Sequence, residues 1–508
     1  MPKVSIKRAL ISVFYKDNLE PIIHELGKSG VEFISTGGTQ EFIQKLGYTV
    51  TPVETLTGFP SIFGGRVKTL HPAIFGGILF RREDTGDVQQ SEAYEIQPID
   101  LVIVDLYPFE ETVSKGGSEA DIIEKIDIGG ISLIRAAAKN FRDVLIVSSR
   151  DQYPALLEIL KTTPGTSTLE QRKYFAALAF DVTSHYDSAI FSYFNTPAII
   201  PSFKKSIQNG RTLRYGENPH QQGIYYGNLD GLFDQLNGKE LSYNNLVDID
   251  ASLNLLKEFD GETAFVIIKH TNACGVATAS VTREAYLKAY QADTISAFGG
   301  VLACNRVIDT EAAEEINKLF FEILIAPGFE PQALALLKSK KNRILLQQKE
   351  ALSEKKQFKS LLNGVIEQDL DLKTDSREDL KVVTKKAPSE KEINALLFAS
   401  KICKHTKSNT IILAVDGQLL ASGVGQTSRV DALRQAIEKA GTFGFDLKGC
   451  AMASDAFFPF PDCVEIAHQH GIEAVIQPGG SVKDQESIRY CDEHNMAMVF
   501  TGIRHFKH

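Results

Sequence analysis

The sequence predicts an α/β protein whose first part carries a mostly parallel sheet with helices on both faces. Three observations lead there. Apolar, β-branched runs of strand length alternate with amphipathic helical patterns through residues 1–195. Glycine-bearing polar turns follow several of these runs directly, as at Ser35-Thr36-Gly37-Gly38. The same recurrence of strand, polar turn and helix resumes after a stretch containing Pro197 and Pro201, which sets a domain boundary at 195/196. A chain of 508 residues exceeds a single core, and about 150 residues per domain gives about three units. The expected layout is therefore 1–195, then 196–508 as two related α/β subdomains with a connector near 339–384.

Each element follows from its own pattern. In the first part Arg8 to Phe14, Val31 to Ile34, Leu101 to Leu106 and Val144 to Val147 read as strands. Leu19 to Lys28 and Thr39 to Lys45 read as helices, and Leu169 to Phe194 as one or more long amphipathic ones. In the second part a helix runs through Leu256, Ala264 to Ile268 suits a buried strand, and Gly275 permits a turn. Ile411 to Ala414 and Met496 to Phe500 are further strands, the last anchoring the C-terminus. The lysines and glutamates of Ser339 to Thr384 read as solvated helices and a connector.

Composition narrows the function class. A formal charge of -9 argues against a nucleic-acid surface and leaves local cationic pockets for a small anionic metabolite. Six cysteines without a CxxC pattern or a Cys/His cluster indicate neither zinc nor a disulfide framework, and reduced, cytosolic thiols fit best. No run approaches the ~20 apolar residues of a membrane span, and the first residues lack a signal-peptide core.

Chemistry-bearing residues collect at predicted strand ends. Ser35-Thr36-Gly37-Gly38-Thr39 opens a helix, where glycines, hydroxyls and first-turn amides suit an anion, without the spacing of a dinucleotide or ATP loop. Gly64-Gly65-Arg66-Val67-Lys68-Thr69-Leu70-His71 adds two cations on a glycine-rich, non-helical stretch. Asp105-Leu106-Tyr107, Lys125-Ile126-Asp127 and the helical pair Arg135 and Lys139 add a phenol, carboxylates and more cations. In the second part Lys269-His270 follows a strand, joining an ammonium to the side chain that titrates nearest neutrality.

Taken in order, the motifs GGRVKTLHP (from Gly64), LYPF (from Leu106), IDIGG (from Ile126), RAAAKN (from Arg135), LRYGENPHQ (from Leu213), KHTNACG (from Lys269), SAFGG (from Ser296) and SDAFFPFPD (from Ser454) resemble one family. It comprises the bifunctional purine-biosynthesis enzymes that join 5-aminoimidazole-4-carboxamide ribonucleotide formyltransferase to inosine-monophosphate cyclohydrolase. The match covers nearly the whole chain, including its terminal arginine and histidine.

The resemblance implies a methylglyoxal-synthase-like, doubly wound α/β domain that closes the purine ring. Two cytidine-deaminase-like α/β subdomains lacking zinc would follow, consistent with the absence of the H-x-E and P-C-x-x-C pattern. It implies 10-formyltetrahydrofolate as co-substrate, no metal or redox cofactor, and a homodimer with the transferase site at its interface.

By motif, Lys269 and His270 would serve formyl transfer. Arg214, Tyr215 and Arg504 would hold the ribonucleotide phosphate, and Asn245, Glu322, Asn409, Phe506 and His508 would surround its ring. Phe298, Phe460 and Asp462 would lie near the folate. Lys68, Tyr107, Asp127 and Lys139 would close the ring, with Ser12, Lys16, Ser35, Thr36, Gly37, Arg66 and Thr69 as nucleotide contacts. This chain departs from the family pattern at Phe14 and Tyr15, where a small hydroxyl residue and Asp are usual, and at Asp105, where Asn is common. Two alternatives stand beside this reading: a transferase with an effector-binding N-terminal domain, and a catalytically silent nucleotide-binding protein. Retention of Lys68, Tyr107, Asp127 and Lys139 opposes the first, and Lys269-His270 the second.

Overall fold

The computed structural model describes residues 3–508. The chain divides into two compact units, Met1–Ile207 and Gln208–His508. In the first, β1 (Arg8–Ser12), β2 (Glu32–Ser35), β3 (Val50–Pro52), β4 (Leu101–Val104) and β5 (Leu145–Val147) form a parallel sheet in the order β3-β2-β1-β4-β5. Every residue of β4 is buried, as a strand covered on both faces requires. Right-handed crossovers put α1 (Glu20–Lys28) and α2 (Gly37–Lys45) on one face and α3 (Gly129–Lys139) on the other. Because the chain winds one way from β1 to β3 and the other way through β4 and β5, a crevice opens between the carboxyl ends of β1 and β4.

A single helix, α4 (Leu169–Phe194), starts on a capping box between Thr168 and Gln171. The segment after it folds back: His185 Nδ1 is 2.9 Å from Ser206 Oγ, and Lys204 lies over the Phe191 ring at 5.4 Å. Those contacts carry the compact unit to 207/208, past the 195/196 boundary read from the prolines.

The second unit is built on one twelve-stranded sheet. Its first half contains β6 (Phe233–Asn237), β7 (Thr263–Lys269), β8 (Asn272–Ala279), β9 (Val301–Cys304), β10 (Ile323–Ala326) and β11 (Ile344–Gln348). An exposed hairpin, β12 (Lys356–Leu361) and β13 (Gly364–Asp369), follows. The second half contains β14 (Lys381–Val382), β15 (Ile411–Val415), β16 (Gln418–Gly423), β17 (Ala451–Ser454), β18 (Ala474–Gln477) and β19 (Ala497–Phe500). The halves repeat one pattern. β7 pairs antiparallel with β8 and β9, β9-β10-β11 run parallel, and β6 closes the edge antiparallel. β15 does the same with β16 and β17, β17-β18-β19 run parallel, and β14 closes the edge. The join is narrow, a register pair between Ala277 of β8 and Gln418 of β16.

Alternation along the strands builds the layers. Ala264, Val266 and Ile268 share one continuous core with Ile412 and Ala414, under α5 (Tyr243–Leu256) and α7 (Glu390–Lys404). On the other face Phe265 and Ile267 pack with α6 (Thr282–Gln291), and Ile411 and Leu413 with α8 (Arg429–Thr442), as separate cores. Among the described residues no helix is long and apolar enough to cross a membrane.

Two sequence expectations are corrected. Residues 339–384 are not solvated helices: Ile344, Leu345 and Leu346 are a buried strand, followed by the exposed hairpin and an edge strand. Nearby charged residues dilute a strand of five, so composition alone misreads it. Gly275 makes no turn; it pairs with Ile267 inside β8, and a Cβ there would stand 2.2 Å from the Ala289 carbonyl oxygen of α6. It is glycine because the helix approaches the strand so closely.

One buried carboxylate ties the halves together. Glu258, just before β7, accepts from Lys404 Nζ at 2.8 Å, His405 Nε2 at 2.9 Å and the Thr374 hydroxyl. Burial alone would raise its pKa, but these donors outweigh burial and hold the carboxyl at about 2. A depressed carboxylate stabilises the fold above its ordinary value of 4.5, and that contribution is lost as pH falls toward about 2. Glu258→Gln leaves Lys404 buried without its counter-charge and should cost about 3–5 kcal/mol at pH 7. Denaturant unfolding of the two proteins should show this gap narrowing as pH falls below 4.5; a constant gap would remove the ionised pair as its source.

Candidate active sites

In the first unit the candidate residues gather where the strands end. Ser12 Oγ lies 3.3 Å from Thr36 Oγ1. Thr36 precedes α2 without capping it through its side chain, so the hydroxyl does not occupy the helix's first N–H groups. Gly37 has φ 47°, and a methyl placed on it would lie 3.8 Å from Lys68 Nζ, which puts that ammonium over the turn. Ser35 is fully buried and donates to the Ile11 carbonyl at 2.6 Å, so it supports the turn from behind. Thr69 is buried with its hydroxyl facing Gly129 at the start of α3.

Asp127 sits at the same helix start. Its Oδ1 accepts from Gly130 N at 2.6 Å, and the backbone N–H groups of Tyr107 and Ile131 also stabilise it. Burial outweighs these donors and raises the carboxyl above its ordinary value. Tyr107 is raised by burial first, then by the charges of Asp127 and Asp105. Lys125 Nζ lies over the rings of Tyr107 and Phe14 at 5.8 and 5.5 Å.

Three candidates stand apart. Lys139 occupies the last turn of α3, about 15 Å along the axis from the end beside Asp127. Arg66 is exposed and ion-paired with Glu124. Lys16 is folded onto its own loop, donating to the carbonyls of Val13 at 2.6 Å and Phe14 at 3.0 Å. Asp105 grips that loop from the other side, accepting from the backbone N–H groups of Phe14 and Tyr15. The added carboxylate is therefore spent bridging the crevice between β1 and β4.

In the second unit Lys269 and His270 stand at a hairpin turn. Lys269 pairs with Asn272, leaving His270 and Thr271 as central residues with φ 50° and 64°. Such turns favour Asn-Gly, and a left-handed non-glycine residue costs about 1–3 kcal/mol. Lys269 Nζ donates to the carbonyls of Phe298 at 2.9 Å and Gly299 at 3.1 Å, with the exposed Phe298 ring stacked obliquely on Phe320. Asp248 Oδ1 accepts the Thr271 N–H at 2.7 Å.

From α5, Asn245 joins a capping box with Ser242 and offers its amide nitrogen to Glu322 at 3.3 Å. Lys239 Nζ lies 3.3 Å from the same carboxylate. Asn409 accepts from Arg429 at 2.8 Å and donates to the Gln426 carbonyl at 2.9 Å. Arg214 lies over the Tyr215 ring and donates to its hydroxyl at 2.7 Å.

The C-terminal residues alternate: Arg504, Phe506 and His508 are exposed, while His505 is buried and Lys507 half-buried. His505 is 2.6 Å from Asp371, the Ser408 N–H donates to the Lys507 carbonyl and the Lys507 N–H to the Ser408 hydroxyl, so the tail runs beside Asn409. Arg504 stacks on Phe506 at 4.4 Å. Phe460, beneath Lys483, and Asp462, which starts a short helix, follow β17 in the half of the sheet opposite Lys269.

Relatives are numerous, and those named below match over nearly their whole length. The AICARFT/IMPCHase bienzyme family profile matches residues 137–439, more than half the chain, and an MGS-like domain matches 18–132. A Bacteroides thetaiotaomicron protein named "Bifunctional purine biosynthesis protein PurH" is 62% identical over 503 residues, 99% of each chain. This chain belongs to the AICARFT/IMPCHase bienzyme family. Proteins of the same name from Chlorobium chlorochromatii and Aquifex aeolicus are 48% and 46% identical, each aligned over 99% of this chain.

Sequence patterns in this bienzyme singled out the turn but passed over three residues that hold it and its neighbours: Asp248, Lys239 and the role of Arg429. Each acts on a group distant in the chain, so no local spacing marks it. Asp105 was noted only as an added charge. Since that charge raises both Tyr107 and Asp127, Asp105→Asn should move the Asp127 titration midpoint down, read by carboxyl-carbon NMR. An unmoved midpoint would mean that Asp105 does not act on Asp127 through its charge.

Proposed function

We propose that the N-terminal unit closes the purine ring and that the C-terminal unit transfers the formyl group, from 10-formyltetrahydrofolate. The chain is a bifunctional enzyme that carries out the last two steps of purine biosynthesis: formylation of 5-aminoimidazole-4-carboxamide ribonucleotide and dehydrative closure to inosine monophosphate.

The observation that carries the assignment of formyl transfer is the tethered ammonium of Lys269 beside His270. An ammonium has three donors, and two are spent on the Phe298 and Gly299 carbonyls, so the third has a fixed direction; among the described residues no salt bridge holds this ammonium, although the Asp248 carboxylate acts on it through its charge. That arrangement suits an oxyanion. The substrate's amino group is a weak nucleophile because the ring carboxamide withdraws its electrons, so His270 takes its proton as nitrogen attacks the formyl carbon. As the tetrahedral centre collapses, the bond from formyl carbon to folate nitrogen breaks and that nitrogen receives a proton. Arg214, Tyr215 and Arg504 hold the phosphate, and Asn245, Glu322, Asn409, Phe506 and His508 border the ring. Phe298, Phe460 and Asp462 border the folate.

In closure the carboxamide nitrogen attacks the formyl carbon, a C–N bond forms, and the former carbonyl oxygen leaves as water. Asp127, raised by burial above the ordinary carboxyl value, is the group placed to pass protons, while Lys68 and Tyr107 stabilise the developing alkoxide. Lys139 is included by motif, and Ser12, Lys16, Ser35, Thr36, Gly37, Arg66 and Thr69 contact or support the nucleotide. No resident metal or redox cofactor enters either step as written.

A homodimer working in the cytosol is part of this reading. The hairpin β12–β13 is exposed along both strands with Leu362 and Ile366 outward, and isolated two-stranded hairpins are marginal, which supports a second copy covering it. The six cysteines are free and buried, in keeping with a reducing compartment.

Incubating the protein with the aminoimidazole ribonucleotide and 10-formyltetrahydrofolate should yield inosine monophosphate by mass. Accumulation of the formamido intermediate would favour an effector role for the first unit, and no turnover a silent binding protein. Lys68→Ala should block closure of supplied intermediate and spare transfer, whereas His270→Ala should slow transfer about 10²–10⁴-fold and spare closure. Equal loss of both activities in either variant would refute separate sites.

A further inference from the structure

The hairpin turn that carries Lys269-His270 is the wrong sequence for its own conformation. Both central residues lie in the left-handed region, His270 at φ 50° and Thr271 at φ 64°, and threonine is β-branched. A turn of this kind ordinarily takes Asn-Gly. Something outside the turn must hold it, and one group is placed to do so. Asp248 projects from α5 with Oδ1 2.7 Å from the Thr271 nitrogen, and the His270 backbone N–H stabilises the same carboxylate. Its hydrogen-bond donors in the turn are main-chain groups, while the His270 imidazole and the Lys269 ammonium act on the carboxylate through charge alone.

From outside, the Lys407 N–H also reaches Asn272 Oδ1 at 3.1 Å, at the edge of the turn, and the other bonds of the His270–Thr271 pair come from within it. Thr271 Oγ1 donates to the His270 carbonyl at 2.7 Å, and Asn272 Nδ2 donates to that carbonyl at 2.8 Å. These fix the outer side of the turn locally, whereas Asp248 fixes its amide side from a different element. Asp248 is also three residues from Asn245 on α5, so one helix face presents both the turn's clamp and the amide that reaches Glu322. The helix start is itself secured by the Ser242 capping box.

We propose that Asp248 is a positioning residue for formyl transfer, holding the His270–Thr271 turn in its left-handed form by accepting its backbone N–H groups and so fixing the stance of Lys269 and His270. The inference rests on the reading that this pair performs the transfer. Its mechanism is conformational. Loss of the clamp should let the turn relax toward ordinary backbone angles and carry the imidazole off line; a misplacement of about 1 Å can cost about 10²-fold.

The test compares both half-reactions in the full-length protein for Asp248→Ala, Thr271→Gly and the double variant, with His270→Ala alongside. Asp248→Ala should lower transfer kcat by about 10- to 100-fold, with a smaller change in ribonucleotide KM and with closure unaffected. Glycine adopts a positive φ without strain, so Asp248→Ala/Thr271→Gly should recover most of the lost kcat and the wild-type pH profile. A double variant no faster than Asp248→Ala would overturn the proposal, because the carboxylate would then be acting by charge and not through the turn. So would a wild-type rate in Asp248→Ala when His270→Ala is slow. A wild-type rate in His270→Ala would instead remove the parent reading. If Asp248→Ala does not fold, Asp248→Asn carries the test: it keeps an acceptor for the Thr271 N–H and should retain most of the transfer rate, and a loss as deep as that of His270→Ala overturns the proposal.

Discussion

The second unit depends on the buried contact between Glu258 and the end of α7. The sheet's halves meet through a single register pair at Ala277 and Gln418, so strand pairing alone gives them little orientation. Glu258 supplies it from beneath. Burial lowers the imidazole of His405 while Glu258 raises it, its Nε2 lies 2.9 Å from the carboxylate, and the Lys404 ammonium lies 2.8 Å from the same oxygen. A buried carboxylate that receives three donors from a lysine, a histidine and a threonine is a directional joint, which a hydrophobic core cannot provide. Its geometry propagates outward, since Lys507 donates to the His405 carbonyl at 3.0 Å and the Lys407 N–H reaches Asn272 in the turn bearing His270 at 3.1 Å. The tail bearing Arg504 and the turn bearing His270 are thus both registered to the same joint.

The first unit solves a different problem. A doubly wound sheet opens a crevice at its switch point whatever its sequence, and the loops that rim it have to be ordered by their own contacts. Here Asp105 takes the rim's N–H groups and Lys16 its carbonyls, so the loop from Val13 to Lys16 is held from both sides by side chains of opposite sign. Each charge also compensates the other electrostatically, Asp105 raising Lys16 and Lys16 lowering Asp105 against the larger effect of burial. The unusual Phe14 and Tyr15 fit this rim: Phe14 packs edge-on against Tyr107, and Tyr15 donates to Glu111 at 3.0 Å.

What the sequence revealed and what it hid divide along a physical line. Strands such as Leu101 to Val104 and the long helix ending at Phe194 were legible because burial writes a period into consecutive residues. The recurrence that pointed to two related halves is visible as one repeated strand-pairing order. Lys269-His270 was legible because its chemistry and its neighbours are contiguous. Gly275 was misread because the Ala289 carbonyl that forbids a side chain belongs to another element. The fold-back of residues 195–207 was hidden for the same reason, since it rests on Ser206 meeting His185. Lys139 shows the converse: the motif groups it with Asp127, while the helix between them separates the two along its length.

The repeat also supplies an internal comparison for the strain in the His270–Thr271 turn. β15 and β16 are joined, like β7 and β8, by two residues, Asp416 and Gly417 between the paired Val415 and Gln418. There the left-handed position is filled by glycine, Gly417 at φ 71°, which adopts that region at no steric cost. The same topology therefore tolerates a relaxed turn, and nothing in the sheet demands strain at Lys269–Asn272. The strained version occurs only in the half where the turn bears an ammonium and an imidazole, and there a carboxylate on the preceding helix meets its amides. Strain at that position therefore belongs to the residues of this turn and not to the sheet topology, and it is met there by the Asp248 carboxylate accepting the Thr271 N–H.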